Sequence, residues 1–211
     1  MTLFGYWEVE AESDIDAARE AHRIEAEAVL YELAAEFSKA GAPTDIQLDF
    51  GRPADEEREF RNRVVEETHA DAIFVPNPFT SLGRVLAPIR DARNQQQLIE
   101  VVAALNEQTV IDIELFHVCE DESMVSEARE MLDGVHEQLT RQGFPELEVK
   151  TTVTVSDDPA YAISQRARSH DLIVMGETSK PDYEDQIFGP AYEYVAGRSE
   201  DPILVVRESD T

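Results

Sequence analysis

The stretch DLIVMGETSKPDYEDQIFGPAYEYVAGRSEDPILVVR, residues 171–207, decides the fold. Its first apolar run, residues 172–175, stops at Gly176, which is typical of a buried parallel strand that leads into a phosphate-facing loop. Pro190 suits the first turn of a following helix, because the N–H that proline lacks has no helical partner there. Residues 203–206 predict a second apolar strand, so the stretch is expected to form a strand, a glycine-containing loop, a helix and a strand.

This closing stretch resembles the C-terminal part of universal stress protein (UspA-like) domains. In ATP-binding members of that family, the loop contains Gly, two residues, Gly, nine residues, Gly, and then Ser or Thr. Here Gly176 and Gly189 keep the first and third glycines. Ser179 stands at the second glycine, and Pro190 replaces the Ser or Thr. The resemblance therefore implies a nucleotide loop whose spacing is intact and whose chemistry is partly lost.

Upstream, the pattern predicts strands and helices in alternation. A first unit, residues 1–78, is expected to contain strands near 2–9, 46–50 and 72–75 and helices near 14–39 and 53–68. The apolar side of its long helix is expected to comprise Ile24, Ala28, Tyr31, Leu33, Ala35 and Phe37. After a linker at 79–83, the second unit, residues 84–211, is expected to have five strands and four helices. This order predicts a doubly wound α/β fold with a mostly parallel five-stranded sheet.

The two units resemble each other in sequence. LFGYWE at residues 3–8 matches LFHVCE at 115–120, and HADAIFVPN at 69–77 matches SHDLIVMGE at 169–177. By this comparison, the first unit is a truncated UspA-like copy, β-α-β-α-β, that lacks the glycine loop. The second is a complete copy with the adenine-nucleotide α-hydrolase-like fold. Only the second copy is expected to hold a nucleotide.

Composition favours an acidic protein with a well-formed core. The 211 residues include 45 Asp and Glu against 18 Lys and Arg, a formal net charge of −27. The negative electrostatic field of such a charge repels phosphates and anionic lipids, so neither nucleic acid nor a membrane is an expected partner. The excess is typical of a high-salt cytoplasm, and the chain is interpreted as a haloarchaeal-type family member. An ordinary acidic protein is the alternative.

Cysteine content and hydropathy bear on the compartment. Cys119 is the one cysteine, which excludes an internal disulfide, and we expect it to be buried at a strand end. No basic region precedes an apolar run at the N-terminus, and no segment approaches the length of a membrane span. We therefore expect a cytoplasmic protein.

The candidate site lies where the strand order of a doubly wound sheet reverses. Universal stress protein domains commonly have an Asp near the adenine at the end of their first strand, and here Arg90 occupies that position. Glu177, Asp182, Glu184 and Asp185 in the loop would oppose a triphosphate unless Mg²⁺ bridges them. The candidate nucleotide-binding residues of this altered site are Pro88, Ile89, Arg90, Asp91, Val118, Met175, Gly176, Ser179, Gly189 and Pro190.

No other pattern indicates chemistry. The five His show no metal-ligand spacing, and no phosphate-loop, nucleophile-elbow or dinucleotide motif is present. Neither a catalytic nor a metal site is predicted, and no cofactor is expected beyond weakly bound ATP or AMP with Mg²⁺. The leading hypothesis is a non-enzymatic stress-response protein that acts by binding and self-association with an unknown protein partner. Its alternatives are an ATP- or AMP-binding switch and, less favoured, an enzyme of the wider nucleotide hydrolase-like group.

Self-association is predicted through the last strand. An apolar edge strand leaves backbone groups unpaired, and stress-protein domains commonly pair this strand across a two-fold axis. The expected homodimer interface comprises Pro202, Ile203, Leu204, Val205 and Val206. In the alternative, a first-copy strand such as residues 72–75 covers this edge and leaves a monomer.

The acidic composition predicts that salt stabilises the fold. Raising KCl toward molar concentrations screens the repulsion between carboxylates, so the melting temperature should rise. A thermal melt monitored by circular dichroism over that range checks this. A melting temperature that stays flat or falls contradicts adaptation to high salt.

Overall fold

The computed structural model describes residues 2–10, 12–39, 44–52, 72–75, 83–91, 95–105, 110–145, 148–176, 190–199 and 201–207. The chain divides into two compact units, Met1–His69 and Ala70–Thr211. None of the helices within the described ranges is long and apolar enough to cross a membrane.

The described part of the first unit contains two parallel strands covered by one long helix. β1 (Thr2–Glu8) pairs with β2 (Asp45–Gly51), and α1 (Ile15–Lys39) packs on them. The predicted cap of α1 is present, since the Ala17 N–H donates to Asp14 Oδ1 at 2.9 Å. A Cβ at Gly5 of β1 would lie 2.8 Å from the Leu30 side chain. The absence of a side chain at this position therefore lets the helix approach the sheet closely.

The prediction for the buried side of α1 is wrong. The helix turns Ala26, Leu30 and Ala34 inward, at the i, i+4 spacing of one helical face. Ile24 and Tyr31 are 77% and 60% exposed. Ala28 and Ala35 are exposed as well, while the side chains of Leu33 and Phe37 lie outside the described part. The helix carries apolar residues on two opposite sides, and the side that fits over Gly5 is the one that packs.

The second unit is built on a six-stranded sheet in the order β3-β8-β7-β4-β5-β6. Its five parallel strands confirm the predicted doubly wound fold. The strand bounds are β3 (Ala72–Val75), β4 (Arg84–Pro88), β5 (Asp112–Cys119), β6 (Val149–Val155), β7 (Leu172–Gly176) and β8 (Ile203–Val206). Their burial on both faces explains the near-continuous apolar runs of β4 and β7.

Helices cover both faces of this sheet. One face carries α2 (Gln95–Ala103) and α3 (Val125–Arg141), the latter preceded by a 3-10 turn at Glu122–Met124. The other carries α4 (Pro159–Ala167) and α5 (Pro190–Ala196). Asp158 caps α4, because its Oδ1 accepts from the Tyr161 N–H at 2.9 Å. The main core forms under α2 and α3 from fully buried side chains that include Ile99, Ile113, Leu132 and Leu139.

β3 corrects the predicted edge of the sheet. It lies antiparallel to β8, with Ile73 opposite Val205 and Phe74 opposite Leu204. Although the sequence placed β3 in a first unit ending at residue 78, its hydrogen-bonded neighbour is the last strand of the chain. The helix expected at 53–68 and most of the linker at 79–83 lie outside the described residues.

The expectation that β8 is an unpaired edge is therefore wrong. β8 has β7 on one side and β3 on the other, so the predicted interface of Pro202, Ile203, Leu204, Val205 and Val206 offers no unpaired backbone for a second copy. The structure has instead the arrangement in which residues 72–75 cover the edge. A homodimer stays a prediction, but its interface has to lie elsewhere.

The position of β8 predicts the effect of a charge in this strand. Val205 is 1% exposed, whereas Phe74 on β3 is 41% exposed. Val205→Lys should lower the free energy of unfolding by about 3 kcal/mol, because it buries an ammonium and removes apolar contacts. Phe74→Lys should cost only about 1 kcal/mol. Urea denaturation at fixed KCl compares the two variants, and equal losses would contradict an interior position for β8.

Candidate functional site

The reversal of strand order lies between β4 and β7. β4 has β5 on one side and β7 on the other, with Leu86 opposite both Glu114 and Ile173. In open α/β sheets, ligands bind beyond the carboxyl ends of the strands at such a point. Here the ends are Pro88 of β4 and Gly176 of β7, and the sequence predicted the end at Gly176.

The segment that follows β4 is held against β5. The buried Ile89 donates its N–H to the Phe116 carbonyl oxygen at 2.8 Å. His117 Nδ1 lies 2.7 Å from the Ile89 carbonyl oxygen, which can only accept, so Nδ1 donates there. Both polar backbone groups of Ile89 are thereby used. The backbone that precedes Arg90 is consequently fixed in place at the mouth of the site.

Arg90 stands at the position where the family has its adenine-side Asp. Its side chain is 63% exposed, and its Nε lies 3.8 Å from Asp91 Oδ2. At this exposure the pair stabilises little. It nevertheless sets a cation beside the neighbouring carboxylate, so this position presents hydrogen-bond donors at the mouth of the site.

The structure brings most of the candidate residues to adjoining strand ends. Pro88 ends β4 and residues 89–91 follow it, Met175 and Gly176 end β7, and Val118 lies near the end of β5. Pro190 begins α5, as the sequence indicated. Ser179 and Gly189 lie outside the described residues. The described part of the candidate site is therefore the nucleoside side of the crevice rather than its phosphate loop.

Two residues with reactive side chains, His117 and Cys119, lie at the end of β5. Cys119 is buried as predicted, and burial raises the pKa of its thiol, with a further contribution from the charges of Glu122 and Asp121. The Ser123 side chain and N–H donate to Asp121, which lowers the pKa of that carboxyl. His117 is committed to the Ile89 carbonyl. The thiol is thus held in its protonated, weakly nucleophilic form.

Across the described ranges, no three His, Cys, Asp or Glu side chains are grouped so that they could hold a metal ion.

A buried ionic cluster lies away from this site, and the sequence reasoning missed it. Glu114 on β5 is 4% exposed. Its Oε1 accepts from Arg166 Nη2 at 2.6 Å and from Nε at 2.8 Å, and its Oε2 lies 3.1 Å from His170 Nε2. The cluster links β5 to the end of α4 and to the turn before β7. The sequence signal for this cluster was the carboxylate of Glu114 inside the apolar run IDIELFHV, because a charge buried in a strand requires partners.

The partners of Glu114 determine its protonation. Burial alone would raise the pKa of this carboxyl, but hydrogen bonds from His170, Arg166 and Thr152, together with the charge of Arg166, lower it to about 2. Glu114 lies in the first half of β5, roughly 17 Å of extended chain from the strand's carboxyl end. The cluster therefore stabilises the sheet and its helix, and it does not contribute to the candidate site.

Comparison with known proteins supports the fold and the family. The model of the family described as "Universal stress protein family" matches residues 81–207. A universal stress protein from Archaeoglobus fulgidus DSM 4304 is similar in structure, with a TM-score of 0.62 and 19% identity over 99% of this chain and 86% of that one. A putative universal stress protein from Pseudomonas aeruginosa UCBPP-PA14 has a TM-score of 0.57 and 12% identity over 99% and 94% of the two chains. No curated protein matches by sequence.

Glu114 should make the free energy of unfolding decrease at low pH. Its folded-state pKa of about 2 lies below the ordinary value of 4.5, so its contribution is present above that value and is lost as the pH falls toward 2. Glu114→Gln should reduce the free energy of unfolding by roughly 3 kcal/mol at neutral pH, and the difference should shrink in acid. Urea denaturation between pH 7 and pH 3 measures it, with the exposed Glu137→Gln as the control. A difference that is the same at both pH values contradicts the ion-paired role.

Proposed function

Since the chain belongs to the universal stress protein family, we propose that it is a non-enzymatic, stress-response regulatory protein that acts by binding and self-association. The observation that carries this proposal is the guanidinium of Arg90 directly after β4 at the strand-order reversal, at the position where the resemblance places an Asp in the ATP-binding members. The fold supplies the crevice, but the residue at its mouth differs from that of the ATP-binding members.

The side chains at the end of β5 support a non-enzymatic role. A nucleophile needs a lowered pKa or a base beside it, and a general base needs an available ring nitrogen or carboxylate. Burial raises the pKa of Cys119, and His117 donates from Nδ1 to the backbone of Ile89. The protonated thiol of Cys119 is a poor nucleophile, which supports a non-enzymatic role, while the hydrogen bond from His117 only orients its ring.

A nucleotide-responsive switch is the second candidate function. It is favoured by Gly176, which ends β7 at the strand-order reversal, where a backbone without a side chain suits close approach to a ligand. In this alternative, ATP or AMP with Mg²⁺ binds in the second unit and alters its contacts with partners. The loop sequence, with Ser179 and Pro190 in place of family residues, favours weak binding.

The acidic composition indicates the ionic conditions in which the proposed protein works. A net charge of −27 fits a protein that works in a cytoplasm of high ionic strength, where a Debye length of about 3 Å at 1 M salt screens its carboxylates. Under these conditions, short-range apolar contacts rather than charge would select the protein partners.

Nucleotide binding provides the test of the altered site. Wild-type protein should bind MgATP with a dissociation constant of about 1 mM or weaker in titration calorimetry at high KCl. Arg90→Asp combined with Ser179→Gly and Pro190→Ser restores the family residues and should tighten binding at least about tenfold. Arg129→Asp, an equal charge change at an exposed position on α3, is the control and should leave binding unchanged.

Micromolar binding by the wild type would establish the switch and refute the altered-site proposal. A restored variant that binds no better than the control would show that these positions do not govern affinity.

A further inference from the structure

The outward side of α1 carries an apolar stripe. It consists of residues spaced alternately by four and three positions, the heptad spacing of a helix that packs against another helix: Ala17, Ala21, Ile24, Ala28, Tyr31 and Ala35. We call this set the outer stripe. All six residues are exposed, and Ile24 and Tyr31 are its large members, 77% and 60% exposed.

The outer stripe is distinct from the face that packs on the sheet. At 3.6 residues per turn, the centre of the outer stripe lies roughly 140° around the helix from the centre of the buried positions Ala26, Leu30 and Ala34. A surface helix of a globular protein normally has one apolar side and one polar side. α1 has two apolar sides, one of which faces β1 and β2 while the other is exposed. Such a patch marks an interaction surface.

We propose that the outer stripe is a homodimer surface on which α1 of a second copy packs antiparallel. The stripe is self-complementary under a two-fold axis. Placing Ile24 against Ala28 of the second copy also places Ala21 against Tyr31 and Ala17 against Ala35. Each large side chain then meets an alanine. The two-fold axis generates every contact twice, with the two chains exchanged. This register pairs all six residues, whereas a shift by one heptad leaves some of them without a counterpart.

The alanines determine how closely the two helices can approach. Helix pairs lie about 8–10 Å apart according to the side chains at the contact, and alanines favour the lower end of that range. Ile24 and Tyr31 would fill the space beside Ala28 and Ala21. The stripe extends over about 27 Å of helix, so the buried area falls at or below the lower end of the range for stable dimers. The association should accordingly be weak, in the micromolar range.

Charge makes this association dependent on salt. Glu20 and Glu27 flank one side of the stripe, and Glu25 and Glu32 flank the other. In the antiparallel pair, Glu25 faces its own counterpart near the axis, as does Glu27, which within its own chain has Arg23 Nη1 at 3.4 Å from Oε1. These like charges oppose dimer formation at low salt, and molar KCl screens them. A partner helix with Lys or Arg flanks would behave in the opposite way, because salt would weaken its binding.

The inference rests on the proposed self-association and specifies its surface. It also accounts for a dimer that does not use β8, since that strand is already paired with β3. The altered nucleotide site plays no part in it, so the nucleotide titration and the test of the outer stripe can fail independently.

Sedimentation velocity on the full chain tests the outer stripe. Wild type should show a reversible monomer–dimer equilibrium that shifts toward dimer as KCl rises from 0.2 M to about 2 M. Ala28→Glu places a large charged side chain at the centre of the stripe and should weaken the dimer at least about tenfold at both salt concentrations. Val29→Glu is the matched control, because Val29 is 56% exposed on the same helix but lies off the stripe, and it should dimerise like wild type. Circular dichroism and thermal melts confirm that both variants are folded.

The other outcomes overturn the inference. A wild type that stays monomeric at about 100 μM in high salt removes both the outer-stripe dimer and the proposed self-association. A dimer that Ala28→Glu and Val29→Glu affect equally places the interface elsewhere and leaves self-association standing. Association that weakens as KCl rises contradicts an interface flanked by like charges.

Discussion

The second unit depends on the two ladders that hold β8 inside the sheet. β8 pairs in parallel with β7 and antiparallel with β3, so its four residues have hydrogen-bonding neighbours on both sides. Ile203, Val205 and Val206 are buried, which requires that the backbone between them be paired within the protein. Residues 72–75, which the sequence assigned to a separate copy, provide that pairing. The last strand of the chain is consequently an interior strand of the sheet.

This arrangement is the reason that the proposed self-association is assigned to the first unit. Once β8 is covered, an apolar edge no longer provides a reason for two chains to meet through it. The described part of the first unit has another long apolar feature, the outer stripe of α1, and the sequence had placed four of its residues, Ile24, Ala28, Tyr31 and Ala35, on the buried side. Two helical faces of similar hydrophobicity cannot be distinguished by periodicity alone. The choice between them depends on which one fits over Gly5 and the neighbouring strand, and that fit is a tertiary property.

The parallel sheet was predictable because its strands are local signals in the sequence. β4 and β7 are near-continuous apolar runs, and caps such as Asp14 and Asp158 mark where helices begin. The partner of β3 was not predictable in the same way, since a four-residue strand carries no record of the residues it pairs with 130 positions later. The partners of Glu114 likewise become visible only when α4 is placed on β5.

The candidate site was predictable in position but only partly in chemistry. A strand ending at Gly176 and another ending at Pro88 were enough to locate the strand-order reversal. The fixed position of the Ile89 backbone could not be predicted, because it depends on a hydrogen bond from His117 on the neighbouring strand. The burial of Cys119 likewise became visible only with its neighbours in place. The family supplies the expectation of a nucleotide, and the altered site proposed for this chain predicts that it binds weakly.

Hydrogen–deuterium exchange at β8 tests most directly whether the chain covers its own last strand. The experiment compares peptides that contain residues 203–206 at a protein concentration low enough for the chain to be monomeric and at a much higher one. If β3 pairs with β8 within one chain, these amides should exchange slowly at both concentrations, at a rate close to that of the core strand β7. Rapid exchange in the dilute sample, with protection that appears only when the protein is concentrated, would show that a second chain covers the strand and would contradict the account.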